Sequence, residues 1–468
     1  MAVSPPSQRL SLPVALSFAS TALPIAAIGL VMGVYLPRFF AGHLGLSMVA
    51  VGAAITIVRL IDLAVDPLLG MAMDRTKSRW GRYRPWLAVG APLVMAAVYM
   101  LFMADTGVSE GYIIGWLLVL FLGISIVTLA QAAWGAALAT DYNDRSRVYG
   151  VISAVGVIGA VAILVVQLSV KGTFAESVHA MGWFCIVLLP ITVALCIWIS
   201  PERVAPKTAG VHASFADYWK LITRPEMIRL IIADFVMALG PGTTAALYLF
   251  FFHDARGYTT AQTSFLLIFY IAAGLAGAMF WSWTAQKLGK HRTLMLTSVC
   301  YAVTQSMLMI IPPATMSLAI PAMFAVGFVS SAFVLIVRAM VADVADEVRL
   351  ETGEERAGLL YALVTTTQKI GSALTVGISF TVLGMVGYNA SEGAVNTPAA
   401  IRGLELCYVF APIILVFFGG ACFIGWKLDA ARHGEVRRQL DIRDALAAEA
   451  GVLATASGVS VPDTGGKP

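Results

Sequence analysis

Residues 59–86 read RLIDLAVDPLLGMAMDRTKSRWGRYRPW. The first twelve bring Arg59, Asp62 and Asp66 into an apolar run that reaches back to residue 47, and the rest form an arginine-dense loop before the next apolar run. A helix of that length crosses the roughly 30 Å of bilayer hydrocarbon. Each ionised group near its centre costs about 2.5–3.5 kcal/mol or more. Positions i, i+3 and i+7 share about one helical face, so the three charges read as one site facing protein, water or an ion.

The rest of the 468-residue chain fits a membrane setting. It is 59% hydrophobic and 12% charged, about half the charged share of a soluble domain. Apolar stretches of about 18 residues or more recur twelve times, near 12–36, 47–73, 86–104, 112–139, 149–170, 182–199, 228–252, 263–286, 294–311, 317–341, 358–387 and 404–426. Their length and their glycine and proline content favour helices, since lipid-facing β-segments are shorter and alternate in polarity. The expected fold class is therefore an all-α membrane protein with twelve transmembrane helices.

Several function classes drop out early. The N-terminus MAVSPPSQRL has neither the basic stretch nor the small-residue cleavage site of a signal peptide, so the first apolar run is expected to stay as a helix. Cys185, Cys196, Cys300, Cys407 and Cys422 lie in apolar runs without metal-type spacing and read as buried small hydrophobes. Outside the spans, Lys and Arg gather on the side of the N-terminus, and only Arg38, Lys171, Arg256 and Arg402 fall on the other. That bias puts both termini in the cytoplasm, in an inner or plasma membrane. The net charge of +4 is spread over several loops and does not point to nucleic acid.

The polar stretch 200–227 splits six spans from six more. The organisation expected is an N-terminal bundle over 1–200, a cytoplasmic linker over 201–227, a C-terminal bundle over 228–428 and a cytoplasmic tail over 429–468. Related signals recur in the halves: GMAMDRTKSRWGRYRP from Gly70 against WTAQKLGKHRT from Trp283, and DYNDRSRVYG against ADVADEVRLETGEERAGLLY. Two weakly similar six-helix halves are the mark of a transporter with a midplane site. The GxxxDR…GRxR spacing resembles the loop motif of the major facilitator superfamily, and residues 59–86 resemble its glycoside-pentoside-hexuronide:cation symporter family. MVADVADE and YALVTTTQKIGSA are similar to that family too, and the resemblance covers residues 10–428.

Read from its own residues, the second-span cluster leaves one uncompensated negative charge after Arg59 balances one carboxylate. Na⁺ removes it through oxygen ligands, or a proton does, aided by like-charge repulsion and desolvation. Pro67 frees a further carbonyl nearby. A purely structural Arg–Asp network is the bland alternative. The resemblance implies that Asp62 and Asp66 are the cation-binding acids and that Lys369 stands near them; Arg59 and Lys369 then form the coupling network. It also implies charged groups at three galactoside-binding positions, where this chain reads Ala26, Ala130 and Ser153.

Other positions carry weaker signals. Asp74, Arg75 and Arg82 read as a conformational latch or as an anchor of positive charge. Asp234 and Arg338 are candidates for a gate pair, for substrate contact, or in Arg338 for snorkelling. Residues 240–244, GPGTT, suggest a hinge. Tyr35, Gln131, Trp134, Tyr248 and Thr365 are candidate substrate-cavity residues, with structural packing the alternative that each of the first four favours taken singly. The expected activity is cation-coupled (Na⁺ or H⁺) secondary transport of a small organic solute, a sugar or glycoside, by alternating access in a monomer surrounded by membrane lipids. No catalytic residue, cofactor or resident metal beyond Na⁺ is expected. A lysolipid or amphiphile carrier, a membrane-embedded lipid-modifying enzyme and a non-transporting sensor are the alternatives. The tail is expected to begin as a surface helix and to end disordered.

Overall fold

The computed structural model describes residues 11–76, 78–138, 142–202, 215–353 and 356–456. The end of the tail and most of the central linker, His212 included, lie outside them. Twelve long helices follow one another: α1 (Leu12–His43), α2 (Met48–Arg75), α3 (Arg84–Phe102), α4 (Glu110–Leu138), α5 (Tyr142–Ser169), α6 (Phe174–Ile199), α7 (Pro225–Ala255), α8 (Thr260–Leu288), α9 (Lys290–Ile310), α10 (Met316–Thr352), α11 (Ala357–Met385) and α12 (Pro398–Ala421). Eleven are long and apolar enough to cross a membrane. The other, α11, has the same reach but carries Thr365, Thr366, Thr367, Gln368 and Lys369 in its first half. A short helix, Phe215–Ile222, precedes α7, and a tail helix, Ala430–Ala456, follows α12. No strand occurs among the described residues.

Two helices outrun their hydrophobic cores. α6 begins at Phe174, well before the expected 182, because Thr173 accepts from the Glu176 amide at 3.2 Å while Glu176 accepts from the Thr173 amide at 3.1 Å. This reciprocal cap fixes a helix start that hydropathy does not register. α10 continues past 341 as a polar helix until Gly353, whose φ of +76° ends it.

α1–α6 pack together, as do α7–α12, and the halves meet through α2 on α11, α5 on α8 and α1 on α7. Their kinship is clearest at one corner. Phe39-Phe40 and Phe251-Phe252 both lie in π-helical ends of their helices. Leu44 then donates to Phe39 and Leu46 to Phe40, just as Arg256 donates to Phe251 and Tyr258 to Phe252. Gly45 and Gly257 follow with φ of +72° and +68°, and Ser47 and Thr259 cap α2 and α8. Residues 39–47 and 251–259 are thus one corner built twice.

The start of α1 lies against the end of α6, with Ser17 donating to the Leu195 carbonyl. The start of α7 lies against the chain after α12, through Arg229 and the carbonyl of Ile424. These ends define the terminal face. The opposite, far face is where α1 and α7 end together, Arg38 donating to the Leu249 carbonyl at 2.7 Å.

Candidate functional site between α2 and α11

Sequence places Arg59, Asp62 and Asp66 on one face of α2, and packing turns that face toward α11. On the far side the helices touch backbone to backbone: a Cβ on Gly52 would lie 3.0 Å from the Gly377 Cα. Moving toward the terminal face, Thr56 donates to the Ala373 carbonyl at 3.0 Å, and Arg59 Nη1 donates to Ser372 Oγ at 2.9 Å. Next, Lys369 Nζ donates to Asp66 Oδ2. Lys369 stands between the halves near the middle of α11, yet its side chain is 43% exposed, so a cleft open to the terminal face reaches the midplane.

The cluster is asymmetric. Asp66 is paired across the interface, but its Oδ1 is buried without a hydrogen-bond partner, as is Arg59 Nε. Asp62 Oδ1 accepts from Ser125 Oγ of α4 at 2.8 Å. The Arg59 guanidinium carbon sits 5.1 Å from the Phe121 ring centre, an attraction worth about 0.5–2 kcal/mol. Arg59 makes no salt bridge with either aspartate, though its charge acts on Asp62, and the cation in contact with Asp66 is Lys369. Ser125, Ser372 and Phe121 were not singled out from sequence, because serines and phenylalanines inside apolar runs carry no pattern of their own.

Of the cavity candidates, Thr365 is exposed one turn before Lys369 on α11. The other four are packing residues. Tyr35 is fully buried and shares a 2.6 Å hydrogen bond with Ser264 of α8. Gln131 donates to the Phe18 carbonyl, Trp134 to the Pro201 carbonyl and Tyr248 to the Thr263 carbonyl. Each is buried, and a buried polar group that already has its partner holds the bundle together rather than awaiting a ligand. Ala130 is likewise buried, Ala26 faces Gly156 of α5, and the Ser153 hydroxyl donates to the Tyr149 carbonyl.

Asp74 and Arg82 do meet, at 3.0 Å, with Arg82 also donating to the Met73 and Asp74 carbonyls. Arg75 is exposed and outside this contact. The organiser is Glu202, which sequence reading passed over: its carboxylate, 4% exposed, accepts from the Arg82 and Tyr83 amides and lies 3.8 Å from Arg84 Nε. A carboxylate on the amides that open α3 satisfies orphan donors and favours the helix dipole. Asp234 and Arg338, by contrast, form no ion pair. Arg338 turns to Gln368 Oε1 at 3.4 Å, and Asp234 is 5% exposed with Oδ2 unpartnered. The expected gate pair is absent in this conformer.

Comparison with known proteins agrees with this architecture. The family described as MFS/sugar transport protein matches residues 17–430. The isoprimeverose transporter of Lactiplantibacillus pentosus is 24% identical over 417 residues, covering 84% of each chain. The glucuronide carrier protein homolog of Escherichia coli (strain K12) is 22% identical over 419 residues, covering 87% of this chain and 91% of that one. The crystal structure of the nucleoside transporter NupG shares the fold, with a TM-score of 0.67 at 16% identity over 88% of this chain and 99% of that one. These are transporters, and the membrane-enzyme reading falls with them. A twelve-helix chain of two pseudo-symmetric bundles, this protein belongs to the MFS/sugar transport protein family of the major facilitator fold.

Proposed function

We propose that this chain is a cation-coupled symporter of a sugar or glycoside, described here in the conformer that opens to the cytoplasm. The observation that carries this reading is the Lys369–Asp66 contact across the midplane, with Asp66 Oδ1 left unpartnered beside it. The ammonium holds the position of a counter-ion, so a cation arriving at Asp66 competes with it and frees α11 from α2. The donors fit a hard cation: Asp66 Oδ1, the Asp62 carboxylate, Ser125 Oγ and the carbonyl four residues before Pro67, all oxygen. Protonation of Asp66 removes the same charge. Either Na⁺ or H⁺ lowers the cost of closing the cleft around a solute, and this difference between conformers is what coupling requires.

The relatives named for isoprimeverose and glucuronide support a sugar over a lysolipid. The uncharged Ala26, Ala130 and Ser153 argue against galactoside-type recognition by the first bundle, and leave exposed groups of the second, Thr365 and Arg338, to meet substrate hydroxyls. In this reading residues 1–200 and 228–428 are the moving bundles of a monomer, while 201–227 and 429–468 are cytoplasmic in an inner or plasma membrane. The decisive experiment is uptake of labelled isoprimeverose and of a glucuronide into proteoliposomes under an imposed Na⁺ or H⁺ gradient. Accumulation under one gradient, reduced at least about tenfold in Asp66→Asn, a change of roughly 1.4 kcal/mol, is expected. Wild-type protein that accumulates neither sugar, or an Asp66→Asn variant that accumulates normally, would overturn the proposal.

A further inference from the structure

Asp234 has no part in the site above. It is the tenth residue of α7, about 13 Å from the start of the helix at 1.5 Å per residue. It is 5% exposed, no described side chain or amide donates to it, and Oδ2 is sealed without a partner. Titratable groups stand on the elements around α7. α10 brings Arg338, whose charge acts on Asp234 but whose guanidinium is turned to Gln368, and nearer the terminal face Asp343, bonded to Lys290, and Glu347 and Glu351, beside Arg224 and Glu226 at the start of α7. α11 brings Lys369, held on Asp66. α12 brings Cys407 and Tyr408, with Arg402 and Glu405 near its far end, and α1 brings Tyr35, bonded to Ser264. Lys220 lies on the short helix before α7, and α7 itself carries Glu226 and Arg229, the latter spent on the Ile424 and Gly425 carbonyls.

A carboxylate withdrawn from water with no donor on it costs several kcal/mol, whereas the neutral acid largely escapes that penalty. We propose that Asp234 is a second ion site, one that takes a proton: it is the neutral acid in this conformer and ionises when Arg338 leaves Gln368 to pair with it. In that step the carboxyl O–H bond breaks, the proton passes to water of the terminal-face cleft, and the electron pair stays on the carboxylate, which the guanidinium then compensates. Gln368 precedes Lys369 on α11, so the two ion sites release the same turn of one helix. The inference holds whether the α2 site takes Na⁺ or H⁺.

Infrared spectroscopy of the full chain in lipid bilayers at neutral pH tests it through the carbonyl stretch of a neutral carboxylic acid. Wild type shows this band; Asp234→Asn removes it, and the double variant Asp62→Asn, Asp66→Asn retains it. Wild-type protein without such a band overturns the proposal and needs no variant to fold. A band that persists unchanged in Asp234→Asn, or that disappears wholly in the double variant, overturns it as well.

Discussion

The two faces of the molecule spend their ion pairs differently. At the far face two pairs run between halves, Arg38 of α1 bonding Asp254 at 2.8 Å and the Leu249 carbonyl of α7, and His43 reaching Glu392 at 3.3 Å, beside contacts inside the second half such as Tyr388 on Asp254 and Arg256 on Glu405. At the terminal face, among the described residues, they stay within one half and its attachments. Asp74–Arg82 and Arg84–Glu202 belong to the first, and Lys290–Asp343 at 2.5 Å and Arg224–Glu351 at 2.8 Å to the second. Among the described residues, the ion pairs that tie the tail helix to the bundle run to α10, among them His433 on Asp343 and Asp346 and Arg349 on Asp444. Bonds between halves are those a rocking motion must break, and bonds within a half are those it must preserve. The far face is therefore the lock of this conformer, and the terminal face is two separately braced lips.

Arg38→Ala strikes the lock hardest. It removes the donor to Asp254 and to the Leu249 carbonyl and leaves a half-buried carboxylate with Tyr388 and His253. A hydrogen bond to a charged group contributes about 1.5–3 kcal/mol, so the balance between conformers is expected to shift by roughly 10- to 100-fold. Spin-label distances measured across the far face should lengthen in a large share of molecules. An unchanged distance distribution places the lock elsewhere, in the Gly52–Gly377 contact or in the buried Tyr35–Ser264 bond.

Glu202→Gln is the matching insult at the other face. The amide keeps the shape but loses the charge that holds the Arg82 and Tyr83 amides. Loss of a good cap costs about 0.5–2 kcal/mol, read as a lower melting temperature, and far-face distances should stay as in wild type. If Glu202→Gln moves those distances as Arg38→Ala does, the distinction between lock and brace fails.

How much of this was legible in the sequence depends on whether a residue's partner is near in the chain or far. The twelve spans, the placing of Asp62 and Asp66 on one face, and the Asp74–Arg82 contact follow from helical spacing and short loops. Lys369 on Asp66 joins residues about 300 apart and came only from family resemblance. Periodicity cannot say which helix a polar face will meet. For the same reason sequence leaves Tyr35, Gln131, Trp134 and Tyr248 between cavity and packing: composition marks a polar atom in an apolar run, but only packing shows that a carbonyl or a hydroxyl already satisfies it. The doubled corner at 39–47 and 251–259 was legible as FF followed five residues later by Gly and two more by Ser or Thr. Its signal is backbone geometry shared by few identical residues, so a search for charge patterns passes over it.

His43→Gln is the mildest way to sharpen the comparison. The His43–Glu392 contact joins the halves like Arg38–Asp254, but its side chains are 26% and 52% exposed, and exposed pairs contribute about 0–1 kcal/mol. The loop that carries Glu392 has a second hold on α1, the Glu392 amide donating to the Gly42 carbonyl at 3.1 Å. That bond survives any side-chain change at position 43. The far-face distance distribution should therefore move by no more than about fivefold in population, the equivalent of roughly 1 kcal/mol, and raising salt in the wild type should change it as little. A shift as large as that of Arg38→Ala would mean that charge at the rim, rather than the buried guanidinium and the backbone bond, keeps the far face shut.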